Sequence, residues 1–143
     1  MTPTRFDAIV IGAGVAGSTA TALLARTGRS VALVEEQRFP RRKVCGECIA
    51  ASNLPLLDAL GVGGEFSACA GPELRRVALM WGRRVLTSDL PAADLPGRAW
   101  GRALGRETLD SLLRDQARAS GAVVLQPWAP LALTMSSICT PRC

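Results

Sequence analysis

Two short apolar runs separated by a helix-length segment begin the chain. Residues 8–11 form one run of strand length, and residues 30–36 contain the second. Because both runs are almost wholly apolar, they predict strands of a parallel sheet that is covered on both faces. Residues 15–27 between them predict a helix that ends at Gly28. Its predicted buried face consists of Ala16, Ala20, Leu23 and Leu24.

The patterning continues through most of the remaining chain. It predicts a loop at 37–47, a helix at 49–60, an antiparallel hairpin at 74–88, a second long helix at 106–120 and a strand at 123–125. From Pro127 onward the periodicity is lost, which favours either a disordered tail or a truncated or frame-shifted end. The sequence thus predicts one α/β domain at 1–126, followed by an irregular tail at 127–143.

The turn between the first strand and the first helix contains three glycines in the pattern GxGxxG. Gly12 allows a tight turn, Gly14 lets the backbone approach a pyrophosphate, and Gly17 lets the helix lie close to the strand. The phosphates would then meet the N–H groups at the start of the helix. The turn residues Ala13, Val15 and Ala16 would share this contact.

An acidic pair, Glu35 and Glu36, ends the second strand. A carboxylate at Glu35 can accept hydrogen bonds from both hydroxyls of an adenosine ribose, and it disfavours a 2′-phosphate. Strand, turn, helix and acid together predict a dinucleotide site. The motif does not separate NAD from FAD, because both contain an ADP half.

Composition narrows the chemistry that the chain can perform. The sequence contains no His, so the usual general base and the commonest metal ligand are missing, and we expect no metal site. The net charge is +5. Because no aromatic residues alternate with the arginines and no nucleic-acid motif occurs, the excess predicts solvated loops and phosphate contacts, with no nucleic-acid partner. No apolar run is long enough to span a membrane and no signal-peptide pattern occurs, which predicts a cytoplasmic protein.

The pair Cys45 and Cys48 forms a CxxC motif in the loop after the second strand. A zinc site shared with Cys139 and Cys143 would lack any histidine and would join distant pairs. A redox pair is a second interpretation, since cysteines at helix starts have lowered pKa values.

The segment RRKVCGE at 41–47 offers a third interpretation of these cysteines. At this distance after the glycine motif it resembles the geranylgeranyl reductase branch of a flavoprotein superfamily, which also contains p-hydroxybenzoate hydroxylase-like monooxygenases and flavin-dependent halogenases. The segment GRETLDSLLRDQARASGAVV at 105–124 is similar to the second block of that family, in which an Arg begins a helix leading back to the sheet. The resemblance covers about residues 6–125.

The resemblance implies a Rossmann-like FAD-binding βαβ fold with a small antiparallel hairpin, incomplete at the C-terminus, and FAD as the cofactor. It implies that Gly12, Gly14, Ala16 and Gly17 hold the pyrophosphate and Glu35 the ribose. Arg42, Cys45 and Gly46 would lie beside the ribityl chain and flavin, Arg106 near phosphate or ribityl oxygens, and Ala129 near adenine. Cys45 is then a small residue of a cofactor loop.

The functions that follow from this resemblance are those of a flavin-dependent oxidoreductase, of either the prenyl or alkene reductase type or the aromatic monooxygenase type. They imply a small apolar or aromatic substrate, with NAD(P)H or a reductase as electron donor. Family members carry a further block against the flavin and most of a substrate domain beyond the length of this chain, so we expect weak FAD binding by the chain alone. An NAD-binding dehydrogenase domain and a non-catalytic fragment or binding module are the alternatives.

Overall fold

The computed structural model describes residues 5–43 and 48–129. In chain order, its helices and strands are β1 (Ala8–Ile11), α1 (Val15–Arg26), β2 (Val31–Val34), β3 (Cys48–Ile49), a 3₁₀ turn (Ala51–Asn53), α2 (Leu54–Leu60), α3 (Gly63–Cys69), β4 (Arg76–Trp81), β5 (Arg84–Asp89), β6 (Arg102–Ala103), α4 (Arg106–Ala119) and β7 (Val123–Leu125).

The first layer of the fold is a parallel sheet with the strand order β1-β2-β7. β1 pairs with β2 from Ala8 opposite Val31, and β2 pairs with β7 up to Val34 opposite Leu125. Val31, Ala32 and Leu33 are almost fully buried, as the apolar run at β2 predicts. Helices α1 and α4 pack together beside this sheet, where Ala22 and Ala117 share a buried cluster with Leu33. The predicted βαβ unit with a parallel sheet is confirmed.

Helix α1 buries a different face from the one that the spacing of its apolar residues predicts. Ser18, Thr21 and Ala22 are buried, whereas Leu23 is 51% exposed. The close approach of Gly17 to β1 determines this rotation, because a Cβ atom at Gly17 would lie 1.9 Å from the carbonyl oxygen of Gly12. The residues that follow Gly17 at helical spacing therefore face the sheet, and they are small. The predicted face of Ala16, Ala20, Leu23 and Leu24 was wrong.

A second buried cluster joins α2, α3 and α4. It consists of Leu54, Leu57, Leu60, Val62, Phe66, Leu104, Leu109 and Leu113. The predicted helix at 49–60 begins only at Leu54, with Pro55 in its first turn, because proline fits the start of a helix and not its interior. Gly61 ends α2 at a φ of 86°, and α3 begins two residues later in what the sequence predicts as a simple glycine turn.

The hairpin predicted at 74–88 is present as β4 and β5. The two strands pair in register up to Trp81 opposite Arg84, and Gly82 adopts a φ of 58° in the turn. Every residue of both strands is exposed, and Met80 and Trp81 are 74% and 80% exposed. Neither face of the hairpin is covered by the described residues.

Asp7 and Ser30 connect the beginnings of β1 and β2, and this contact gives a testable titration. The backbone N–H and the hydroxyl of Ser30 both donate to Asp7 Oδ2 at 2.8 Å. These bonds favour the charged carboxylate, so they hold the pKa of Asp7 below its ordinary value of 3.8. The resulting stabilisation is present above the unfolded-state pKa and is lost as the pH falls through the folded-state pKa.

We expect Ser30→Ala to raise the pKa of Asp7 toward the ordinary value, though not fully, because the backbone N–H of residue 30 remains. An NMR titration of the Asp7 side-chain carboxyl carbon measures this shift. An identical titration curve in the variant would show that the hydroxyl does not contribute.

Candidate cofactor site

The glycine turn between β1 and α1 adopts the geometry that a phosphate-binding turn needs. Gly12 has a φ of 95°, which favours glycine, and its N–H donates to the carbonyl oxygen of Val34 at 2.7 Å. Gly14 is the N-cap residue of α1, and no side chain caps the helix there. Backbone N–H groups at the start of α1 can therefore be satisfied by an anion.

A cleft of about 620 Å³ lies over this turn. This volume lies within the usual range for small-molecule sites, about 300–1,000 Å³. Its walls come from the glycine turn, the end of β2, the loop after β2 and the start of α4. The lining residues are Ile11, Gly12, Gly14, Val15, Ala16, Gly17, Val34, Glu35, Glu36, Arg41, Lys43, Arg106 and Trp128.

Glu35 is held firmly at the end of β2, with only 5% of the residue exposed. Its Oε2 accepts a hydrogen bond from the N–H of Ala13 at 2.8 Å, and its Oε1 accepts one from the N–H of Gln37 at 3.0 Å. The acid is thus fixed against the glycine turn, at the wall of the cleft. The backbone N–H of Trp128 donates to the backbone oxygen of Glu35 at 2.8 Å.

Two arginines and a buried aspartate form the cationic side of the cleft. Asp110 on α4 is completely buried, and it accepts hydrogen bonds from Arg106 Nε at 2.8 Å and Arg106 Nη2 at 3.2 Å. Arg41 Nη2 lies 3.8 Å from Asp110 Oδ2 and 3.3 Å from Glu35 Oε2. The acid at the end of β2 and the acid on α4 are therefore joined through one guanidinium group.

Both arginine side chains lie close to Gly14 in the glycine turn. A Cβ atom at Gly14 would lie 3.6 Å from Arg106 Nη2 and 3.8 Å from Arg41 Nη2, which are ordinary contact distances. The two guanidinium groups thus face the backbone of the glycine turn across a gap that a side chain would fill. Positive charge above exposed backbone N–H groups is the environment that a diphosphate requires, so the residues present fit a dinucleotide.

Other residues predicted for the site occupy varied positions. Val15, Ala16 and Glu36 line the cleft, whereas the side chain of Arg42 is 95% exposed and lies 3.7 Å from Glu107. Ala129 is exposed and is not among the residues that line the cleft. Cys45 and Gly46 lie outside the described residues.

Sequence reasoning did not assign five of the residues that line this cleft: Ile11, Val34, Arg41, Lys43 and Trp128. It also missed Asp110, which holds the two arginines from behind the cleft. A signal existed for Asp110, because an Arg and an Asp four residues apart on a helix share one face, and this Asp stands among the apolar positions of α4. No pattern distinguishes Arg41 from Arg42. Trp128 falls in the stretch that the sequence predicts as irregular.

Metal-binding clusters and membrane-spanning helices are both absent from the described residues. Within residues 5–43 and 48–129, no group of three or more His, Cys, Asp or Glu side chains is arranged to hold a metal ion. Cys48 and Cys69 are exposed free cysteines. None of the helices in the described ranges is long and apolar enough to span a bilayer.

Known proteins with similar sequences or structures include FAD-dependent enzymes. A family model described as an FAD binding domain matches residues 5–129. Menaquinone reductase of Mycobacterium tuberculosis is 34% identical over 119 residues, covering 83% of this chain and 28% of that protein. The structure of the myxobacterial chondrochloren halogenase, an FAD-dependent halogenase, matches with a TM-score of 0.72 at 27% identity, covering 85% of this chain and 28% of that one.

A geranylgeranyl bacteriochlorophyll reductase-like protein from Thermoplasma acidophilum has the same fold, with a TM-score of 0.64 at 23% identity, covering 83% of this chain and 29% of that one. The chain spans about 28% of the length of the curated relative described above. The match selects FAD over NAD, and it confirms the resemblance on which the FAD prediction rests. The chain therefore belongs to the FAD binding domain family.

Proposed function

We propose that this chain is the FAD-binding portion of an enzyme that either reduces alkene or prenyl double bonds or activates oxygen for attack on an aromatic substrate. The observation that carries the proposal is the pair of guanidinium groups of Arg41 and Arg106 facing Gly14, with the buried Glu35 beside them. These groups match the polar features of an ADP half. The glycine turn lets the phosphates approach the backbone, the two cations balance the phosphate charge, and the acid accepts hydrogen bonds from the ribose hydroxyls.

Each residue has a defined part in this proposal. The N–H groups at the start of α1 and the two arginines bind the diphosphate, and Glu35 binds the ribose hydroxyls. Gly12, Ala13, Val15, Ala16 and Gly17 shape the turn, and Glu36 borders it. The bound flavin supplies the redox chemistry, while the protein positions it and limits its contact with water.

The rest of the proposal concerns the whole enzyme. Two named relatives, a menaquinone reductase and an FAD-dependent halogenase, support a small apolar or aromatic substrate. NAD(P)H or a reductase would supply electrons, and we place the enzyme in the cytoplasm. Arg42, Cys45, Gly46 and Ala129 remain proposed cofactor contacts. We keep the domain boundary predicted after residue 126 as a proposal, although the family match continues to residue 129.

FAD binding tests the proposal directly. The purified protein is mixed with FAD, the excess is removed, and the flavin absorption bands that stay with the protein are recorded. Quenching of flavin fluorescence then gives the Kd. We expect Gly14→Ala to weaken FAD binding by about tenfold or more, because the added methyl group prevents close approach of the phosphates to the backbone.

The fold should tolerate this change, since the added Cβ atom makes ordinary contacts and Gly14 has a φ of −78°, which any residue adopts. Glu35→Gln should weaken FAD binding by a similar factor, because hydrogen bonds to a charged acceptor contribute about 1.5–3 kcal/mol. Glu65→Gln, on the exposed surface of α3, is the matched control and should leave the Kd unchanged. FAD retention equal to wild type in both cleft variants would contradict the proposed site.

A further inference from the structure

Arg41 is enclosed within the cleft but incompletely paired there. Its side chain is 15% exposed, and its Nη2 lies 3.3 Å from Glu35 and 3.8 Å from Asp110. Its Nε is buried and has no hydrogen-bond partner among the described residues. By contrast, Arg106 holds Asp110 through two shorter bonds, at 2.8 and 3.2 Å. A guanidinium group with long contacts and an unused buried donor can change partners at little cost.

Glu35 is the partner for which Arg41 and a ligand compete. Its Oε2 already accepts the N–H of Ala13 and lies beside Arg41, while its Oε1 accepts the N–H of Gln37. A ribose hydroxyl that approaches this carboxylate must share it with the guanidinium group. The same guanidinium group also faces Gly14, where phosphates approach the turn.

We propose that Arg41 exchanges partners when the dinucleotide binds. Its guanidinium group moves from Glu35 to the diphosphate and stays near Asp110. This inference rests on the proposed function, and it assigns Arg41 as the residue that couples phosphate recognition to ribose recognition. A ligand with a diphosphate removes the competing cation from Glu35. A nucleoside without phosphates leaves the cation on Glu35 and has to compete with it.

Asp110 allows Arg41 to change partners while its guanidinium group stays beside the glycine turn. It is completely buried on α4, bonds to Arg106 and lies 3.8 Å from Arg41 Nη2, so its negative charge attracts Arg41 toward the turn whichever partner the guanidinium group takes. Phe39 limits the movement from another side, because its ring lies 5.1 Å from the guanidinium carbon of Arg41. Arg41 is therefore a specificity-determining residue whose movement is confined to a short exchange.

Two ligands that differ only in the diphosphate test the exchange. ADP binding is measured by calorimetry, and adenosine binding by NMR titration to millimolar concentration, for wild type and for Arg41→Gln. We expect Arg41→Gln to weaken ADP binding by about tenfold or more, and to bind adenosine several-fold tighter than wild type does. The dependence of the ADP Kd on salt should also decrease, because one cation at the phosphates is lost.

Arg38→Gln is the matched control, since it removes the same charge from the same loop at an exposed residue that does not line the cleft. Both Kd values should stay within about twofold of wild type. Arg41→Lys should recover part of the ADP affinity without full recovery, because an ammonium group cannot form the planar fork. Thermal unfolding of each variant shows that the protein is folded.

The outcomes separate this inference from the proposed function. If Arg41→Gln leaves adenosine binding unchanged or weakens it, Arg41 does not compete with the ribose for Glu35, and the exchange is overturned while the FAD site stands. If wild type binds neither FAD nor ADP, the proposed function fails, and the exchange fails with it.

Discussion

Gly17→Ala is expected to lower the free energy of unfolding by about 3 kcal/mol, the upper part of the usual range for overpacking. The added Cβ atom would lie 1.9 Å from the carbonyl oxygen of Gly12 and 3.4 Å from a side-chain carbon of Val10. The obstacle is backbone, which cannot rotate away as the end of a side chain could. Helix α1 would have to move off β1. Because small domains are stable by only about 5–15 kcal/mol, urea unfolding followed by circular dichroism should show a large shift of the midpoint.

Gly64→Ala provides the control for this change. Gly64 lies in α3, has no left-handed φ, and would place its Cβ atom in open space. Alanine is favoured over glycine in a helix, so this variant should be as stable as wild type or up to about 1 kcal/mol more stable. Equal midpoints for Gly17→Ala and Gly64→Ala would show that α1 can adjust its distance from β1 without cost.

Two glycines of the same motif should thus have separable roles. Gly17→Ala should damage the fold, whereas Gly14→Ala should keep the fold and lose cofactor affinity, because its Cβ atom points into the cleft. The spacing of the motif predicts both residues but not this difference in consequence. The difference depends on which atom stands opposite each glycine, and that is a property of the folded chain.

Sequence patterning predicts the parts of this fold that depend on local chemistry. The apolar runs of β1 and β2, the helix α4 and the turn at Gly82 carry their signals within a few residues. It fails at α1, where the close contact at Gly17, and not the amount of apolar surface, determines the rotation of the helix. It also fails at α3, because glycines at 63 and 64 disfavour a helix that Phe66 stabilises by packing into the core.

The choice between Arg41 and Arg42 could not be made from the sequence. Neighbouring residues of an irregular loop have no periodicity that assigns one to the interior. In the structure, two guanidinium groups contact the ring of Phe39, with Arg41 at 5.1 Å and Arg114 of α4 at 4.8 Å from its centroid. This contact fixes the loop against α4 and directs Arg41 into the cleft, and it joins segments that are distant in the chain.

Asp110→Asn is expected to destabilise the protein by about 3 kcal/mol or more, the usual cost of breaking a buried ion pair from one side. The carboxylate is completely buried and is shared by Arg106 and Arg41. An amide of the same shape keeps the packing but cannot supply the negative charge that both guanidinium groups face. Urea unfolding measures the loss of stability, and the FAD Kd should rise as well, because the cations are no longer held toward Gly14.

Asp115→Asn on the same helix separates this effect from a general loss of acidic charge on α4. Asp115 also pairs with two arginines, Arg114 and Arg118, but its side chain is 53% exposed. Solvent screens such pairs, so the variant should lose no more than about 1 kcal/mol and should bind FAD as wild type does. If the two aspartate variants unfolded at the same urea concentration with the same FAD affinity, burial of Asp110 would have no energetic consequence, and its assignment as the group that holds both cations would be wrong.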